Sequence, residues 1–175
     1  MKKLILILAI ALMPLYGGAQ SIFANFEDND EVTTVIVNKK MFEMMSKISV
    51  DDAEAQEMLN MVKNLNALKV FTTENAEIGS EMKGVIESYL KNSKLSELMR
   101  INDKDAKVYI YVKEGQNDNH VTELLMLVNG IKSNGGERQP ESVILSITGD
   151  IYLDKISSLI NHMNISGGEH LKTKN

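Results

Sequence analysis

The side chains able to do chemistry are few in this sequence, and they are scattered. There are three histidines, His120, His162 and His170, and no cysteine. Histidine is a common metal ligand and titrates nearest to neutrality. No pair of these three has the spacing of two ligands on one helical turn, and no His-Glu-x-x-His run is present. They predict no zinc site. His120 opens a strand beside a turn, His162 suits the negative end of a helix dipole, and His170 falls in a polar tail. The acidic run Glu27-Asp28-Asn29-Asp30-Glu31 has oxygens of the kind calcium prefers. It lacks the glycine and the closing glutamate of an EF-hand loop and reads as a solvated arm. The 11 methionines raise the question of copper. Met41, Met44, Met45, Met58, Met61 and Met82 fall on helical stretches with no accompanying histidine, which is the pattern of core filling. The metal and cofactor expectation is therefore none.

Nucleophilic chemistry fares no better. The missing cysteine removes every thiol, and no Gly-x-Ser-x-Gly elbow occurs. Gly135-Gly136 leads into Glu137 rather than into a lysine at a helix start, so it is no phosphate loop. The pairs Glu43/Glu54 and Asp150/Asp154 could be imagined as acid–base dyads. Asp150 is better placed as the N-cap of a final helix, as Asn38 and Asn75 are for two earlier ones. No catalytic residue is assigned. A carboxylate enzyme, testable at Asp150, Glu123 and Asp30, ranks last among the functional readings. Tyr109 and Tyr111 share one strand face: they form a contact surface if that face is open, and core with hydroxyls at its edge if helices cover it. The second arrangement is expected.

The elements that must position these residues follow from periodicity. Val32–Val37 is β-branched and short, hence a strand. Lys39–Ile48 and Ala53–Leu65 carry apolar residues at helical spacing, separated by a break whose aspartates can cap. Leu68–Thr73 alternates as a strand. Ala76–Asn92 is a longer helix with Ile78, Met82, Val85, Ile86, Tyr89 and Leu90 inward. Gly84 weakens that helix, and close packing against a neighbour would explain it. Ser96–Ile101, Lys107–Lys113, Val121–Val128 and Ser142–Ile147 are strands joined mostly by short turns, so they form an antiparallel meander. The stretch Leu124–Val128 is apolar on both sides. Asp150 then caps a helix bearing Leu153, Ile156, Leu159, Ile160 and Met163. The expected class is α+β: a mixed, mostly antiparallel sheet of about five to six strands, with helices packed on one face.

The N-terminus reads as an export signal. Lys2 and Lys3 precede the apolar run Leu4–Leu15, and Gly17-Gly18-Ala19 offers small residues for cleavage. About a dozen apolar residues are too few to span a bilayer, which takes about 20. No later segment is long and apolar enough to do so. The organisation expected is a signal peptide over 1–19, an arm over 20–31, one α+β domain over 32–163 and a flexible tail over 164–175. Removing Lys2 and Lys3 leaves 17 of the 19 basic residues against 24 acidic ones, moving the net charge from −5 to −7. Such a balance disfavours nucleic acid as a partner. Trp is absent, and with 5 Tyr and 4 Phe an aromatic sugar platform is not expected.

Several segments in order resemble one family. They are Phe26-Glu27-Asp28-Asn29-Asp30-Glu31-Val32-Thr33, then Val37-Asn38-Lys39-Lys40-Met41-Phe42, then Glu123-Leu124-Leu125-Met126-Leu127-Val128, and finally Leu145-Ser146-Ile147-Thr148-Gly149-Asp150-Ile151. The chain resembles the bacterial family called domain of unknown function 4252, over nearly all of its length after the leader. The resemblance implies a small exported envelope protein and brings no catalytic residues. Many members look like lipoproteins. This chain has no cysteine to carry a lipid, so it is expected in the periplasm or outside the cell without a lipid anchor. The leading functional expectation is a non-enzymatic module that binds an envelope protein or small ligand. A carrier of a small apolar ligand is the alternative.

Overall fold

The computed structural model describes residues 22–48, 51–104, 106–117, 119–131 and 140–153. The expected leader, the tail and the body of the expected final helix lie outside them. The helices are α1 (Ala24–Glu27), α2 (Lys39–Met45), α3 (Ala53–Val62) and α4 (Ala76–Asn92). The strands are β1 (Val32–Asn38), β2 (Leu65–Thr73), β3 (Ser96–Asn102), β4 (Lys107–Glu114), β5 (His120–Asn129) and β6 (Ser142–Tyr152). All six form one sheet in the order β1-β2-β6-β5-β4-β3. Every neighbouring pair is antiparallel, so the sheet is not mixed. The later strands are the expected meander, and the β1–β2 pair closes onto the free side of β6. The fold is α+β.

Local chemistry starts α2, α3 and α4 where the sequence says. Asn38 accepts from Met41 N–H at 3.2 Å and Asp52 from Ala55 N–H at 2.7 Å. Asn75 accepts from Glu77 N–H at 2.8 Å and from Ile78 N–H at 3.4 Å. Each side chain satisfies amides that the first helical turn leaves without a partner.

Alternation along the strands divides the apolar residues between two faces. On one face, Phe71, Leu125, Leu127 and Ile144 pack under Ile78, Met82 and Ile86 of α4. Phe23 and Phe26 of the N-terminal arm join them, with ring centroids 5.1 and 6.3 Å from that of Phe71. On the other face, Leu124, Met126, Val128, Leu145 and Ile147 share a cluster with Phe42 of α2, and Val62 of α3 packs against it. The sequence reading expected helices on one face; they pack on both, because both faces of the central strands are apolar. Five consecutive residues, Leu124–Val128, are buried.

The largest departure lies at the end of β6. This strand runs through Thr148, Gly149 and Asp150 to Tyr152 instead of stopping at Ile147. Val121 faces Ile151 and Glu123 faces Thr148, so Thr122 stands opposite both Gly149 and Asp150. That is a β-bulge. Asp150 is consequently not the N-cap of a helix. Its N–H donates to Asn64 O at 3.0 Å, at the point where the chain leaves α3 for β2. Leu65 correspondingly belongs to β2 rather than to the preceding helix.

Candidate functional site

The α4 face carries the polar residues that come together from distant parts of the chain. Its frame is set by α4, which presses on β6 at its N-terminal end. A Cβ on Gly79 would lie 3.1 Å from that of Ser142. The Ser142 hydroxyl donates to Val128 O at 3.2 Å, and Thr73 Oγ1 donates to Glu31 O at 2.9 Å. The Asn75 side-chain amide donates to both oxygens of Glu31, at 3.1 and 3.2 Å. The start of the helix is thus tied to β1, β2 and β6 at once.

Further along α4, Tyr89 donates its hydroxyl to Glu123 of β5, at 2.9 Å to Oε1 and 3.0 Å to Oε2. Burial, then the hydrogen bond and charge of Glu123, push the Tyr89 phenol up to about 12. All three disfavour a phenolate there. Tyr109 and Tyr111 stand on β4, half-buried, packed against the cluster under α4. Their rings are stacked 6.5 Å apart at an interplanar angle of 6°. Burial raises the Tyr111 phenol, and the Glu97 carboxylate adds to this. The Arg100 guanidinium lies over the Tyr109 ring, 5.4 Å from its centroid, and pairs with Glu97. These tyrosines are edge-of-core residues rather than an open aromatic platform.

Beside Tyr109 the sheet and helix part into a cleft of about 360 Å³. Its lining includes Lys83 of α4, Asp103 and Lys104 of the β3–β4 turn, Lys107 and Tyr109 of β4, and Asn129 of β5. Among the described residues that line it, three are lysines and one is an aspartate, in a chain whose overall charge is negative. Lys83 also lies 3.7 Å from Glu87, in an exposed pair of small energetic weight. The chemistry suited to such a cleft is recognition of an anionic group, with the tyrosine as a flat wall and Asn129 as a neutral hydrogen-bonding side chain. From the sequence only Tyr109 was a candidate. Lys107 lies two residues before it on the same strand face, which is the one periodic signal available. Lys83, Lys104 and Asn129 come from other elements and meet there only in three dimensions.

A second, wider groove of about 790 Å³ runs between α1 and α4, lined among others by Ile22, Phe26, Gly84, Val85 and Tyr89. Gly84 does not pack closely on a neighbour, contrary to the sequence expectation: among the described residues, no atom beyond its own stretch of helix lies within 4 Å of where its Cβ would be.

The carboxylates considered for catalysis have different surroundings. Glu123 accepts from Tyr89, Asp150 Oδ1 lies 3.1 Å from His120 Nδ1, and Asp30 stands exposed before β1. His120 also meets the Tyr152 ring edge-on, centroids 4.1 Å apart. Glu43 pairs with Lys40 at 3.6 Å. Asp154, His162 and His170, and the side chain of Glu54, lie outside the described residues. Two Ser-x-x-Lys spacings, Ser80/Lys83 and Ser88/Lys91, occur on the exposed surface of α4. No group of three or more histidine or carboxylate side chains among the described residues could hold a metal ion, and no described helix is long and apolar enough to cross a membrane.

No curated protein and no solved structure matches the chain. A family model does, over residues 26–159, from the buried Phe26 of α1 to beyond the end of β6. It is described as a domain of unknown function (DUF4252), and the chain belongs to that family.

Proposed function

We propose that this protein is an exported component of the bacterial envelope that acts as a non-enzymatic binding module, and that its contact site is the lysine-lined cleft beside Tyr109. The single observation that carries this reading is convergence: Lys83, Lys104 and Lys107 reach one cavity of about 360 Å³ from three separate elements. Its partner presents an anionic group of modest size, on a protein or on a small ligand. The basic head Lys2-Lys3 and the apolar run Leu4–Leu15 support export, and the missing cysteine supports a protein without a lipid anchor. A packed interior favours action at the surface. Phe71, Met82, Leu125 and Ile144 are fully buried.

Crosslinking in the native host tests this. A photoreactive azidophenylalanine in place of Tyr109, which keeps an aromatic wall and all three lysines, should yield one discrete adduct. That adduct should be lost when Lys83→Glu and Lys104→Glu are combined, with the fold unchanged by circular dichroism. An adduct indifferent to the charge reversal sinks the cleft as the contact site, and a turnover detected for the purified protein sinks the non-enzymatic reading.

The groove at Gly84 favours a second reading, the carrier of a small apolar ligand. Its volume is large enough for such a ligand, and Ile22, Phe26 and Val85 give it apolar walls. Native mass spectrometry of protein from its own host should then show a bound molecule that Gly84→Leu displaces.

A further inference from the structure

The two edges of the sheet are built differently. At one edge, β3 carries Glu97 and Arg100, which pair with each other, and a register shift between Glu97 and Met99. Charges and bulges are the usual protection of an exposed strand against pairing with another chain. The opposite edge, β1, has neither. Its sequence is Val-Thr-Thr-Val-Ile-Val-Asn, six β-branched residues of seven, in unbroken register with β2. Val35 is 48 % exposed and Ile36 45 %. Among the described residues no strand covers its outer side. Met41 and Met44 lie exposed on α2, which packs against β1 and β2, so the neighbourhood of this edge is apolar as well.

The flanks of β1 specify what fits there. Asp30 and Glu31 precede the strand, Lys39 and Lys40 follow it, and all four are exposed. We infer that β1 pairs antiparallel with β1 of a second copy of this chain, about a two-fold axis at Val35, continuing the sheet across the dimer. That axis sets Val35 against Val35 and Thr34 against Ile36. It also brings Glu31 to the Lys39 end and Asp30 to the Lys40 end of the partner strand, twice over by symmetry. A parallel, in-register copy would set acid on acid and base on base, which is unfavourable. The strand itself is uncharged, so nothing within it opposes self-pairing. The edge backbone groups, which no described strand pairs, become a hydrogen-bonded ladder in the dimer.

The test is the mass of the purified chain in solution, measured by sedimentation over a range of concentrations. The expected result is a reversible dimer. Val35→Lys puts two ammonium groups face to face on the axis and should give a single-chain mass with an unchanged circular dichroism spectrum. Asp30→Lys, at an exposed position outside the strand, should weaken the dimer about two- to thirty-fold through its two symmetric charge pairs, and Lys40→Asp in the same chain should restore it. A wild-type chain that stays single at every concentration overturns the inference, even if it captures an extended peptide of another protein. A dimer indifferent to Val35→Lys and to the charge swap overturns it too.

Discussion

Gly149 passes so close to Leu65 that a Cβ on the glycine would lie 2.6 Å from Leu65 Cα, and equally close to Asn64 O. Its φ of 139° is open to glycine and strained for any other residue. The bulge at Gly149-Asp150 is therefore where β2 enters the sheet. The glycine lets the Asn64–Leu65 backbone come close, and Asp150 N–H anchors Asn64 O. This joint is what sets β1 and β2 onto β6, and through them Asn75 and the start of α4.

Gly149→Ala combines a forbidden φ with a backbone clash. It should destabilise the protein by about 2–4 kcal/mol, well beyond an ordinary surface substitution. Urea unfolding monitored by circular dichroism measures this. A loss under 1 kcal/mol, as for a surface site, would mean that the β2–β6 joint tolerates a side chain and does not depend on the close approach.

Two other glycines give a contrast within one helix. Gly84 faces open space, so Gly84→Ala should gain about 1 kcal/mol from helix propensity alone. Gly79 has the Ser142 Cβ at 3.1 Å from its own Cβ position, and Ser142 is fully buried and hydrogen-bonded to Val128 O. Gly79→Ala should therefore keep little of the same gain. Thermal unfolding of the two variants side by side should rank Gly84→Ala above Gly79→Ala, and the reverse order would contradict this account of how α4 meets β6.

The contrast also shows what local sequence can and cannot carry. Asn38 and Asn75 could be read as caps because capping depends on residues three positions apart. The β4 strand could be read because Val108, Ile110 and Val112 alternate with Lys107, Tyr109 and Tyr111. The end of β6 could not be read the same way. Gly-Asp before an apolar run has the same local form whether it caps a helix or bulges a strand, and the deciding contact is with Asn64, 86 positions earlier. Leu65 fits the inner face of a helix and the first position of a strand equally well. Burial of β5 on both faces was written in Leu124–Val128, since a strand facing water on one side would alternate. The lysine cleft was the least legible feature, because its cationic residues are spread from Lys83 to Lys107 and only the β3–β4 turn and the packing of α4 on the sheet bring them together.

The ion pair between Lys69 and Glu27 ties α1 to β2 at 2.6 Å, with both side chains largely shielded from water. Lys69→Met takes a close cationic partner from a largely shielded Glu27 carboxylate and should lower stability by about 1 kcal/mol. The double variant Lys69→Met, Glu27→Met should lose less than the sum of the two single variants, because each single change takes this partner away from the charge that remains. A double-mutant cycle on urea unfolding checks the coupling, and strictly additive effects would remove the pair as a determinant of how the N-terminal arm docks.

Tyr89 makes the protein sensitive to alkali in a defined window. Its phenol is raised from 10.0 to about 12 in the folded state, first by burial and then by Glu123. The folded chain thus holds this proton more tightly than the unfolded one. The contribution is fully present below pH 10 and is lost as pH rises through 12, because unfolding then releases a proton and becomes favoured. Ultraviolet titration should show late ionisation, with one of the most alkaline steps missing in Tyr89→Phe. Glu123→Gln keeps an acceptor for the hydroxyl but removes the charge, so it should move that step down without abolishing it. The Tyr89→Phe variant should also lose less stability than wild type between pH 10 and 12. If the two stability profiles stay parallel across that interval, the Tyr89–Glu123 hydrogen bond is not maintained in solution, and the C-terminal half of α4 is held to β5 by apolar packing alone.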